Sequence, residues 1–157
     1  MKRGYRNVQH SPLPLIIGLV FAGIVGFAGH SASAVPTIVF VLALLAPVAL
    51  ILLFSSFVVE EDGDALQLAF GPLPLIRKRV RYADLAAVRE TRTDLLDGFG
   101  IHWVPGRGWT WNLIGFAAVE VTYRNGHTLR IGAGRDARGL AEHLRQRILG
   151  EPAAPGV

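Results

Sequence analysis

The densest run of side chains able to do chemistry is Arg77-Lys78-Arg79-Val80-Arg81. On a strand, Arg77, Arg79 and Arg81 fall on one face, while Lys78, Val80 and Tyr82 fall on the other. Cations so close together can pair with acidic groups, which makes Arg77, Lys78, Arg79 and Arg81 candidate contacts for anionic lipid headgroups. The competing reading is a solvated strand face whose charge also discourages edge pairing. A second cluster holds all three tryptophans, Trp103, Trp109 and Trp111, in the glycine-rich stretch 98–116. Glycines let strands bend and tryptophans fill the space left, which reads as core. Trp109 and Trp111 nevertheless share a strand face, and if it points outward they are a candidate partner surface.

Other constellations dissolve on inspection. Gly132-Ala133-Gly134-Arg135-Asp136-Ala137 follows a strand and opens a helix, as a dinucleotide fingerprint does. Residues 138–157 leave no room for the second parallel strand and its acidic residue, so a strand-to-helix loop is expected instead. The five histidines, His10, His30, His102, His127 and His143, show no metal-ligand spacing. There is no cysteine, Walker loop, G-x-S-x-G or useful acidic pair. The expectation is a protein that is not an enzyme, with no cofactor and no metal. The 16 basic residues are spread out: Lys2, Arg3 and Arg6 lie at the start, and the other 13 face 12 acids after residue 59. That balance argues against nucleic acid as a partner.

The elements that must carry these residues are organised around stretch 7–59, which has no Asp, Glu, Lys or Arg in 53 residues. A helix or strand of an ordinary core keeps a polar face, and this stretch has none. It divides at residues 29–33 into apolar segments 13–29 and 34–59, which predict a transmembrane hairpin of two helices. Gly18, Ala22 and Gly26 form a small-residue stripe for helix packing, against the second segment or in a homodimer. Pro36 and Pro47 are placed to start and to kink the second helix. Lys and Arg flank the pair and are missing from its loop, so both termini are expected in the cytoplasm. An alternative treats residues 2–34 as a signal peptide ending at Ala32-Ser33-Ala34.

After residue 60 the texture changes to short alternating runs broken by Gly, Pro and Asn. Strands are expected at 65–70, 75–82, 85–91, 101–104, 109–113, 118–123 and 128–131. The last two read as a hairpin turning at Asn125-Gly126 in a type I′ turn. A helix from Asp136 to about residue 149 has Ala137, Leu140, Ala141, Leu144 and Ile148 along one stripe. Residues 151–157 read as a disordered tail. The predicted organisation is therefore a basic tip at 1–12, a transmembrane hairpin at 13–59, a mainly-β domain at 60–150, and the tail.

Seven strands followed by one amphipathic helix is the order of a pleckstrin-homology-like (PH-like) barrel. With Tyr82-Ala83-Asp84-Leu85, Gly100-Ile101-His102-Trp103 and the run from Gly108 to Gly115, the chain resembles small bacterial two-span membrane proteins with a cytoplasmic PH-like domain. The resemblance implies a location, the bacterial inner membrane, and a fold, a mainly-β barrel closed by its C-terminal helix. The expected function is a membrane-anchored interaction module at the cytoplasmic face, binding a protein partner or a lipid surface. The alternative is an accessory subunit of a larger membrane complex, packed through its hairpin.

Overall fold

The computed structural model describes residues 4–31, 37–94 and 100–150. The chain runs β1 (Arg6–His10), α1 (Leu13–Ser31), α2 (Thr37–Phe54), β2 (Ser56–Asp62), β3 (Ala65–Phe70) and β4 (Ile76–Arg81). A single 3-10 turn (Tyr82–Asp84) leads to β5 (Leu85–Arg92), β6 (Gly100–Val104), β7 (Gly108–Asn112), β8 (Ala117–Tyr123), β9 (Thr128–Gly132) and α3 (Ala137–Leu149). One sheet has the order β1-β2-β3-β4 and the other β5-β8-β9-β7-β6. Every pairing is antiparallel except β7 with β9.

Alternation along the strands decides what is buried. Phe57 and Val59 on β2, Leu66, Leu68 and Phe70 on β3, and Val80 on β4 form the first sheet's side of the core. Val119, Val121, Leu129, Ile131 and Trp111 supply the second sheet's side. Phe70 joins the two: its ring lies 4.5 Å from that of Phe57 and 5.6 Å from that of Trp111. Helix α3 adds Leu140, Ala141 and Leu144 from its apolar stripe, and Gly150 ends it in the left-handed conformation. The β8–β9 turn is one residue longer than the expected two-residue turn. Only Gly126 takes a positive φ, so Asn125 sits in a type I turn followed by a bulge at glycine, and the type I′ reading is corrected.

The largest corrections concern stretch 7–59. Its ends are strands: Asn7, Val8 and Gln9 of β1 pair with Val59, Val58 and Phe57 of β2. The helix pair is thus a long excursion between two neighbouring strands of one sheet. The second apolar segment was expected to stay helical through residue 59. It leaves the helix at Phe54, because Phe57 and Val59 are drawn into the core and Ser56–Asp62 pairs on both sides. Helices α1 and α2 have 19 and 18 residues. At 1.5 Å per residue they rise about 28 and 27 Å, below the hydrocarbon thickness of about 30 Å. Among the described residues, no helix is long and apolar enough to cross a membrane.

The expected transmembrane hairpin, the integral-membrane assignment and the multi-pass placement in a bacterial inner membrane are corrected accordingly. So is the barrel of about seven strands: the described residues hold nine strands in two sheets, because β1 and the segment Ser56–Asp62, which begins inside the apolar stretch, are strands too. The hairpin loop with its Ala-x-Ala sequence, Lys2 and Arg3, and the tail 151–157 lie outside the described residues.

Candidate functional site

Strand β4 forms one edge of the first sheet, and β6 forms one edge of the second. Between them the two-sheet unit stays open, and Leu75, Ile76, Arg77, Lys78, Ile101, Trp109 and Trp111 line a hollow of about 490 Å³. The register explains why Lys78 reaches it. Leu66, Leu68 and Phe70 of β3 point into the core, and their β4 partners are Val80, Lys78 and Ile76. Lys78 therefore occupies a core-facing position, flanked by two apolar residues, where only the open edge gives its ammonium an exit. Trp109 and Trp103 pair across β6 and β7 on the same inward face. They are 49% and 58% exposed, at the edge where β6 ends the second sheet.

Two further hollows adjoin this one. Ile101 is shared with a hollow of about 300 Å³ at the base of the helix pair, walled by Leu13, Pro14, Ile17, Leu50, Phe54 and Leu113. Lys78 and Trp109 are shared with a more polar one of about 380 Å³, which also touches Arg79, Tyr123, Asn125 and His127. The sequence of linings runs from aliphatic at the helices, through indole rings, to cations and amides. Volumes of this size are those of small-molecule sites.

The four cations expected to act together are divided by the strand. Arg79 lies 2.7 Å from Asp64 and 3.8 Å from Asp62. Arg81 is bound through two nitrogens to Asp84, at 2.9 and 3.2 Å, and this ion pair raises its pKa further. Arg77 donates from Nε to the Pro74 carbonyl. Lys78 faces the opposite way and has no ion pair among the described residues. Trp109 and Trp111 do share a face, but Trp111 is buried and Trp109 half-open, so they form the floor and lip of one hollow. Of the helix stripe, Gly18 is buried against Pro47, where an added Cβ would come within 2.9 Å of the Pro47 Cβ. Ala22 is half-buried, while Gly26 faces open space, so the contact ridge runs Pro14, Gly18, Ala22, Val25 instead.

Sequence reasoning missed a polar row on the outer face of the second sheet. Arg89, Glu120, Arg130, Thr110 and His102 are register partners across all five of its strands. Glu120 accepts from Arg89 Nε at 2.8 Å and from Arg130 Nε at 2.9 Å. Burial alone would raise the Glu120 pKa, but the two guanidiniums outweigh it and hold the carboxyl below its usual range. The signal was present in the sequence as Glu120 between Val119 and Val121, but its register partners were not. A second polar cluster lies under α3: Glu61 with His143 and Arg147, and Tyr5 ring-stacked on His143. Burial pushes the His143 pKa down, and it pushes the Tyr82 hydroxyl up to about 12, helped by Asp62 and Asp64.

The glycine-rich loop before α3 serves packing. A Cβ at Gly132 would sit 2.2 Å from Asn112 Oδ1, and Gln9 Nε2 donates to the Gly132 carbonyl at 2.9 Å. Among the described residues no group of His, Asp and Glu is arranged to hold a metal ion. The open seam brings cations, indole rings and aliphatic side chains together at one edge of the two-sheet unit. Compared with family models, curated proteins and solved structures, the chain matches none.

Proposed function

We propose that the protein is an interaction module: its helix pair seats it against an apolar surface supplied by a larger assembly, and its two-sheet unit presents a recognition surface beside that seat. The carrying observation is the exposure of the helix pair. One ridge of each helix meets the other, through Gly18 and Pro47, and most of the other described side chains are apolar and exposed. Leu19, Val20, Ile24 and Phe27 on α1, with Leu42 and Leu45 on α2, are all more than half exposed. Neither helix carries a charged residue. Contiguous apolar patches of more than a few hundred Å² mark interaction surfaces, because leaving them in water forgoes about 25 cal/mol per Å². This is the reading of an accessory subunit held by its helices.

The geometry at the base supports it. Strands β1 and β2 clamp both ends of the pair into the first sheet, and Phe54 reaches the core ring of Phe70 at 5.6 Å. Whatever covers the helices therefore fixes the two-sheet unit as well. Purified in plain buffer, the chain is expected to self-associate. Leu19→Ser/Val20→Ser/Ile24→Ser should convert it to a monodisperse monomer with an unchanged strand signal in circular dichroism. A wild-type chain already monomeric in light scattering, without detergent, would show that the helices need no cover and overturn the reading.

A further inference from the structure

We propose that the seam between β4 and β6–β7 binds a single-chain anionic amphiphile, its acyl chain lying over Ile101 and Trp111 toward the helix base and its acidic head at Lys78. Three observations converge on that class of ligand. The hollows at the seam and at the helix base share Ile101, so an extended chain entering one meets the aliphatic lining of the other. A bulky rigid ligand would not use both. The walls carry Leu75, Ile76 and Ile101, which offer a methylene chain contact without polar specificity.

Charge supplies the polarity. Arg77, Lys78, Arg79 and His127 line the seam and the hollow next to it, and among the described residues no Asp or Glu does. Arg79 is already neutralised by Asp62 and Asp64. Arg77 is turned to the Pro74 carbonyl, and Lys78, placed opposite the buried Leu68, faces the hollow without an acidic partner among the described residues. Lys78 shares this lining with indole and aliphatic carbon, and its ammonium can pair with an acidic head group at the mouth of the hollow. The inference stands apart from the covering of the helix pair, which concerns the outer faces of α1 and α2.

The test uses the full chain and a dansyl-labelled fatty acid below its micelle concentration, read by energy transfer from tryptophan. Saturable transfer is expected, displaced by palmitate and not by butyrate. Hexadecanol, with the same chain and no charge, should compete about tenfold less well, the worth of one charge-assisted hydrogen bond. Lys78→Gln should erase that tenfold preference while leaving competition by hexadecanol unchanged, which also shows that the variant is folded. Palmitate and lysophosphatidate present different acids on similar chains, and the stronger competitor identifies the head. Displacement by neither overturns the proposal. So does a preference for palmitate that survives Lys78→Gln, or loss of binding in Leu19→Ser/Val20→Ser/Ile24→Ser, which would place the probe on the helices.

Discussion

Replacing Glu120 by Gln removes one charge from the middle of a five-strand row and changes almost nothing in volume. In the native row Glu120 and Arg130 are both buried, with side chains 8% exposed, while Arg89 on the far side is 68% exposed. The two arginines therefore contribute unequally. The Arg89 pair is screened by water and contributes little. Breaking a buried pair by removing one partner costs about 3–5 kcal/mol, since the other charge stays desolvated. A glutamine keeps one acceptor for an arginine N–H, which returns about 1 kcal/mol. Glu120→Gln should thus lose about 2–4 kcal/mol, and Arg89→Gln far less. For a folded unit of this size the first corresponds to a fall in Tm of roughly 10–20 °C.

Denaturant unfolding of wild type and both variants, followed by the fluorescence of the buried Trp111, measures the difference. Its pH dependence carries a second check. The folded pKa of Glu120 lies below the unfolded value, which is about 4.3. Its contribution is therefore fully present above that value and is lost as pH falls through the depressed folded one. The gap between wild type and Glu120→Gln should be constant near neutrality and close in acid. A gap within 0.5 kcal/mol at neutral pH, roughly the scatter of surface substitutions, would refute the claim that the row is a buried electrostatic unit.

Two further substitutions test packing. Gly18→Leu should force α1 and α2 apart, because its Cβ would already crowd the Pro47 ring, whereas Gly26→Leu points into open space. Spin-label distances between the helices should lengthen in the first variant only, and equal lengthening in both would disprove the assigned ridge. Leu144→Asp puts a carboxylate at a fully buried position of α3 and should cost several kcal/mol, enough to unfold a marginal domain. Arg145→Asp, on the exposed face near Glu90, should lower the melting temperature only slightly, and comparable losses in the two would mean α3 does not pack as described.

Local patterns in the sequence reported local structure well. Alternation at Val119, Val121 and Tyr123, the Asn125-Gly126 turn and the apolar stripe of α3 each depend on residues within a few positions of one another. The helix stripe of Gly18, Ala22 and Gly26 was half right for a related reason: four-residue spacing drifts around an α-helix, so by the third small residue the stripe has left the contact face. What the sequence hid were partnerships between distant segments. The lack of charge in 7–59 suggested that the second apolar helix runs to residue 59, yet Val58 and Val59 are β-branched and find strand partners on both sides, at β1 and β3. Hydropathy alone cannot separate an apolar core strand from the end of an apolar helix, and here length misled because the two follow without a break.

The basic cluster shows the same limit at the level of a site. Alternation correctly separates Lys78 from Arg77, Arg79 and Arg81, and charge density draws attention to the three arginines. In the fold, that conspicuous face is the less available one. Asp62, Asp64 and Asp84 come from the turns on either side of β3 and β4 and neutralise two of the three. The single lysine between Ile76 and Val80 looked like an interruption of an apolar face. The strand order places it at the open seam, because among the described residues β4 is an edge strand, and Trp109 lines the same hollow. A charge at a core-facing position is costly unless something compensates it, and an edge that leaves room for a ligand is one way to do so. The functional weight of the cluster therefore moves from the three arginines to the one lysine on the other face.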